Sequence, residues 1–88
     1  MLFKVLQKPI EYQNCPIVIR QNGECFEYIT CINNQIYSSY VEARKSLIQR
    51  LFLQDYTKKE ITNITNYIIA MAQTTIDSVL GIQPEVKQ

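Results

Sequence analysis

The sequence predicts an α+β fold in which an antiparallel sheet of two to three strands is followed by an antiparallel helix pair. Three observations predict it. Residues 57–84 carry helix punctuation at both ends, residues 16–38 alternate around the hairpin dipeptide Asn22-Gly23, and Ser39-Tyr40-Val41-Glu42 between them matches a helix-opening box. With 88 residues the chain makes one domain, near the size at which a single core buries about 60–65% of the unfolded surface. Its expected divisions are an N-terminal segment (1–15), a hairpin or meander (16–38), helix 1 (39–53), helix 2 (57–80) and a tail (81–88).

Within the N-terminal segment the stretch Leu2 to Gln7 is ended by Pro9, which disfavours helix in the residue before it. Residues 16–38 read as strands because Asn22-Gly23 supplies the two positive-φ positions of a type I′ turn. That turn sets Ile19 opposite Phe26 and Ile17 opposite Tyr28. One face then collects Ile17, Ile19, Phe26, Tyr28 and Ile32, while Arg20 and Glu27 pair diagonally on the other. A one-residue slip would turn every apolar side chain outward. A second turn at Asn33-Asn34-Gln35 leads to a short third strand, Ile36-Tyr37-Ser38, whose register depends on whether the loop holds two residues or three. Ile29 and Cys31 make the reverse face partly apolar, and the N-terminal segment is a candidate to cover it.

Helix 1 is expected to open on the Ser39–Glu42 box and to present Val41, Leu47, Ile48, Leu51 and Phe52 to the core. The short link Gln54-Asp55-Tyr56 would make it an antiparallel neighbour of helix 2. Helix 2 opens on the box Thr57-Lys58-Lys59-Glu60, with Tyr56 and Ile61 at the positions of a hydrophobic staple. It closes at Gly81, which tolerates the left-handed conformation, with Pro84 barring resumption. Its roughly 23 residues span about 34 Å, whereas a compact chain of this size is only about 30 Å across. The many β-branched residues between the caps make it a helix held by packing rather than propensity.

Composition excludes several functions. The apolar fraction is 47% and the charged fraction 19%, which is globular, and no run approaches the ~18 apolar residues of a membrane span. Residues 1–9 lack the apolar stretch and cleavage site of a signal peptide. Three cysteines fit a reducing compartment better than a disulfide scaffold, so a cytoplasmic protein is expected. A net charge of +1 gives no broad field toward nucleic acid or lipid.

The residues of catalysis are sparse. Histidine is absent, removing the usual general base and the commonest zinc ligand. Gly23 and Gly81 are consumed by a turn and a cap, leaving no glycine repeat to cradle phosphate. Cys25 and Cys31 lie about 20 Å apart on one extended strand, and Cys15 could meet only one of them. No acid pair has catalytic or metal-ligand spacing. Neither a catalytic set, a metal site nor a cofactor is predicted, and the chain is read as a non-enzyme.

The expected function is therefore a non-catalytic interaction or assembly module, self-associating or an accessory subunit, with a protein partner or a second copy and no membrane. The interface is expected on the C-terminal half of the long helix, at Met71, Ile76, Val79 and Leu80, because a short helix 1 covers only part of its neighbour. The alternative is a small nucleic-acid-binding domain using Arg44, Lys45, Arg50, Lys58 and Lys59 near the helix connection. Tight duplex binders neutralise about 6–10 phosphates, more than this edge offers once Asp55 and Glu60 dilute it. In overall style and in its helical C-terminal half the chain resembles small Gln-, Asn- and Ile-rich uncharacterised proteins of cyanobacteria and similar bacteria. That resemblance implies a bacterial cytoplasm and transfers no functional residue.

Overall fold

A computed structural model describes residues 4–82. Met1–Phe3 lie outside the described residues, as does the tail from residue 83, which includes Pro84. The chain runs β1 (Lys4–Val5), β2 (Ile10–Tyr12), β3 (Cys15–Asn22), β4 (Cys25–Ile32), β5 (Gln35–Glu42), α1 (Leu47–Leu51) and α2 (Lys58–Leu80). All strand pairs are antiparallel. β3, β4 and β5 form a meander, and β1 and β2 share the other edge of β3.

Three two-residue turns set the registers. Gln13-Asn14 joins β2 to β3 and Asn33-Asn34 joins β4 to β5, with positive φ at all four residues, as a type I′ turn demands. Between β3 and β4 the central residues are Gly23 and Glu24, and only Gly23 has positive φ (62°). The turn therefore lies one residue later than Asn22-Gly23 implies. Ile19 faces Tyr28 rather than Phe26, and Ile17 faces Thr30. The pairing moves by two residues, an even number, so the inward face survives: Ile17, Ile19, Phe26, Tyr28 and Ile32 are all buried. Arg20 and Glu27 become direct opposites and form an ion pair.

The N-terminal segment does not cover the reverse face. It lies along the edge of β3, with Val5 opposite Arg20 and Ile10 opposite Ile17. Five residues of the edge thus pass three of β3, and the excess loops out around Pro9, which has no N–H to give the ladder.

The sheet is larger than expected, and the helix pair is matched only in part: two helices follow the sheet, but the first is far shorter than expected. Ser39-Tyr40-Val41-Glu42 is strand, not helix: these residues pair with Tyr28, Glu27, Phe26 and Cys25. A two-residue turn at Asn33-Asn34 obliges β5 to match the eight-residue β4, and Tyr37, Ser39 and Val41 alternate inward as a strand requires. Backbone pairing along all of β4 outweighs a lone cap. α1 keeps only five residues, opens on a different box at Ser46, and buries none of them.

α2 spans 23 residues and crosses one face of the sheet. Its capping box forms as predicted, with Glu60 N–H donating to Thr57 Oγ1 and Thr57 N–H donating to the Glu60 carboxylate. Gly81 ends it at φ 73°, and the Ile82 N–H returns to the Asp77 carbonyl at 2.8 Å. Ile68, Ala72 and Ile76 meet the inward residues of β3 and β4 in one core. Two polar contacts brace its C-terminal half: Tyr28 Oη lies 2.7 Å from Thr75 Oγ1, and Tyr12 O–H donates to Asp77 at 3.0 Å. The Asp77 contact and burial hold the Tyr12 phenol above its ordinary pKa. The molecule is a two-layer slab, 47 × 36 × 18 Å, with a radius of gyration of 15.0 Å.

Candidate interaction surface

The sheet takes the apolar stripe of α2 that the sequence leaves in need of a neighbour. Ile76 is fully enclosed, Met71 is half-buried beside the core, and only Val79 and Leu80 reach the surface, each 37% exposed. Of the expected interface, Ile76 presents nothing to a partner, and α2 is not the uncovered helix that its length implies.

The unspent apolar surface lies elsewhere, on the connection from β5 to α2. Leu47, Ile48, Leu51, Phe52 and Leu53 are between 64% (Ile48) and 91% (Leu53) exposed. Isolated exposed leucines need no explanation, but five large apolar residues exposed within seven positions are a concentration of the kind that marks an interaction site. Leu53 also has φ 53°, a left-handed conformation that suits glycine.

Local hydrogen bonding explains how so short a helix stands away from the core. Ser46 caps α1, accepting from Gln49 N–H at 3.2 Å, while the Ser46 N–H donates to Gln49 Oε1 at 2.9 Å. The other end of the same amide, Gln49 Nε2, donates to both Glu60 oxygens at 3.1 and 3.3 Å. One glutamine side chain thereby joins the capping boxes of α1 and α2. At the far end of α1, Leu53 N–H bonds to the Arg50 carbonyl and Gln54 N–H to the Gln49 carbonyl, the paired bonds of a Schellman closure.

Tyr56 anchors the base of the connection. Its hydroxyl donates to the Ala43 carbonyl at 2.6 Å, tying the two ends of the excursion together. Its ring meets Phe26 edge to face at 5.2 Å, and Lys45 Nζ lies 5.4 Å from the ring centre. Burial, and then the nearby Glu24, Glu60 and Asp55 carboxylates, push the Tyr56 phenol above its ordinary pKa, with Arg50 opposing. Glu60 is displaced the other way: the bonds from Thr57, backbone and side chain, hold its carboxyl below the usual range, with Gln49 adding to them.

The predicted basic residues flank this patch. Arg44, Lys45 and Arg50 lie before or on α1, and Lys58 and Lys59 open α2, so residues 43–59 hold five cations and one acid. Arg50 pairs with Glu24 at 3.2 Å and Arg44 with Glu42 at 3.5 Å. Lys45 faces Tyr56, so three of the five cations have a protein neighbour.

Other features are less suited to a site. Cys15 is buried, and Cys25 and Cys31 are half-buried on the open face of the sheet. Among the described residues no group of three or more Cys, Asp or Glu side chains could hold a metal ion. No described helix is long and apolar enough to cross a membrane. A shallow depression of about 360 Å³ on the open sheet face is lined by Arg20, Asn22, Cys25, Glu27, Tyr40 and Glu42, and its charged side chains are engaged in ion pairs, Arg20 with Glu27 and Glu42 with Arg44. No protein-family model, curated protein or solved structure matches the chain.

The sequence marks Leu47, Ile48, Leu51 and Phe52 as apolar helix residues but assigns them to the core, and Ser46, Gln49 and Leu53 escape it. A signal is present: Ser46-Leu47-Ile48-Gln49 is itself an S-x-x-Q box, and it lies where the helix begins.

Proposed function

We propose that the protein is a non-catalytic assembly module, a chain that works by being bound through α1. The exposed cluster Leu47, Ile48, Leu51, Phe52 and Leu53 carries the reading. Fully burying one such side chain is worth about 1.5–3 kcal/mol, so a partner that covers the cluster gains a large apolar term the fold leaves unused. The tethers at Gln49, Tyr56 and Arg50 support it further, because a surface held in place before contact loses less entropy on binding. A non-catalytic role is in keeping with the displaced titratable groups: Tyr12, Tyr56 and Glu60 each serve a structural hydrogen bond.

The test is site-specific photo-crosslinking in the native host, with the reactive side chain at Phe52 and, as control, at exposed Asn63 on α2. A discrete adduct from position 52, absent from position 63 and lost on Leu51→Ser, supports the reading. No adduct from position 52, or one unaffected by Leu51→Ser, refutes it. The concentration of cations in residues 43–59 favours a second reading, nucleic-acid binding. It requires retention on heparin that falls steeply with salt, and flow-through at low salt ends it.

A further inference from the structure

We infer that β5 is a pairing edge for a second copy of this chain, forming a two-fold antiparallel dimer centred on Ser38. This goes beyond the proposed role of α1, uses a different surface, and stands or falls separately. Among the described residues β5 has one neighbour in the sheet, β4, and no strand pairs with its other side. Ala43 N–H bonds to the Glu24 carbonyl at 2.8 Å, and antiparallel ladders alternate. That parity points the N–H and C=O groups of Tyr37, Ser39 and Val41 toward β4 and those of Ile36, Ser38, Tyr40 and Glu42 outward.

Natural sheets blunt such edges with lysine, proline, a bulge or a very short strand. β5 has none of these, is eight residues long, and is uncharged from Gln35 to Val41.

The edge is complementary to itself in one register. With Ser38 opposite its own copy, Ile36 faces Tyr40 on the open side of the sheet, and on the helix side Tyr37 faces Ser39. Sliding by one step to centre on Ser39 would set Ile36 against Glu42, which disfavours it. The Ser38-centred pairing makes about six new backbone hydrogen bonds.

It also borders a groove. Between β5 and α2 lies a space of about 380 Å³ lined by Tyr28, Ser39, Tyr67, Ala70, Met71 and Thr74. Ser39 leaves its floor low, and the second copy's edge would run along it, with Tyr37, packed on its own core, directly opposite Ser39. A seven-residue strand contact runs about 24 Å and by itself falls short of the ~1,200–2,000 Å² of a standard interface. The dimer is therefore a weak one, with a Kd between about 1 μM and about 1 mM.

Because Ser38 lies on the axis, Ser38→Glu and Ser38→Lys each repel their own copy and attract the other. Sedimentation velocity on the full chain from about 1 μM to about 1 mM should give a wild-type dimer, two monomeric single variants, and a heterodimer on mixing them. Each variant should retain the wild-type circular dichroism spectrum, since Ser38 is exposed. A wild-type monomer throughout this range overturns the inference, as does a dimer that survives Ser38→Glu. If Phe52→Ser instead dissociates the dimer, association belongs to α1: the β5 inference fails while the role of α1 stands. Absence of the position-52 adduct with the Ser38 heterodimer intact means the reverse: the role of α1 fails and β5 pairing stands.

Discussion

Replacing Leu53 with glycine should make this protein more stable, although it removes a large apolar side chain. Leu53 is 91% exposed, so truncation forfeits almost no buried area. Its φ of 53° is a left-handed conformation that costs a non-glycine residue about 1–2 kcal/mol. Glycine removes that cost but adds about 0.5–1 kcal/mol of chain entropy to the unfolded state. The net expectation is a stabilisation of about 0.5–1 kcal/mol, or about 2–8 °C in Tm for a domain of this size. Thermal and urea unfolding followed by circular dichroism measure it, with an unchanged urea slope confirming that only stability moved. A loss of more than about 0.5 kcal/mol would refute the reasoning, because it would mean that Leu53 is packed in the isolated protein. The same substitution should weaken capture at position 52, which separates what the residue does for the fold from what it does for a partner.

Three further outcomes follow from the core and the caps. Ile68→Ala, at a fully buried position between α2 and the sheet, should cost about 2–5 kcal/mol in urea unfolding, a large part of the stability of an 88-residue domain. Thr30→Val should stabilise by about 1 kcal/mol, since the Thr30 hydroxyl is buried with no partner among the described residues and valine keeps the shape. The folded Glu60 carboxyl is held below its unfolded value, so its contribution is complete above that unfolded value and is lost as pH falls through the folded one. Acid titration of stability should therefore be shallower in Glu60→Gln than in the wild type, and an identical acid limb in the two proteins would contradict the linked caps.

How much of the fold is legible in the sequence depends on whether a signal is local. The α2 boundaries are legible because Thr57, Glu60 and Gly81 act on their own backbone neighbours. The inward face of β3 and β4 is legible because alternation survives an even shift in register, although Asn22-Gly23 places the turn one residue early. The second half of β5 reads as helix because Ser39 and Glu42 satisfy a local capping pattern, whereas their actual partners, Tyr28 and Cys25, lie far back along the chain. With those residues in the sheet, the connection holds only a five-residue helix, which meets the start of α2 through the Gln49–Glu60 hydrogen bonds and buries no apolar face. Leu47, Ile48, Leu51 and Phe52, core residues by their helical spacing, are left outside. That spacing does mark a helix; only the three-dimensional arrangement reveals that the sheet already covers the face of α2 they would otherwise meet.

If α1 is surplus to the fold, its apolar cluster can be removed whole. Converting all five residues at once (Leu47→Gln, Ile48→Gln, Leu51→Gln, Phe52→Ser, Leu53→Gly) and measuring urea unfolding examines this without intermediaries. The prediction is a cooperative transition within about 1 kcal/mol of the wild type, with position-52 contacts abolished. An unfolded or molten variant would contradict it, because those five side chains would then belong to the core.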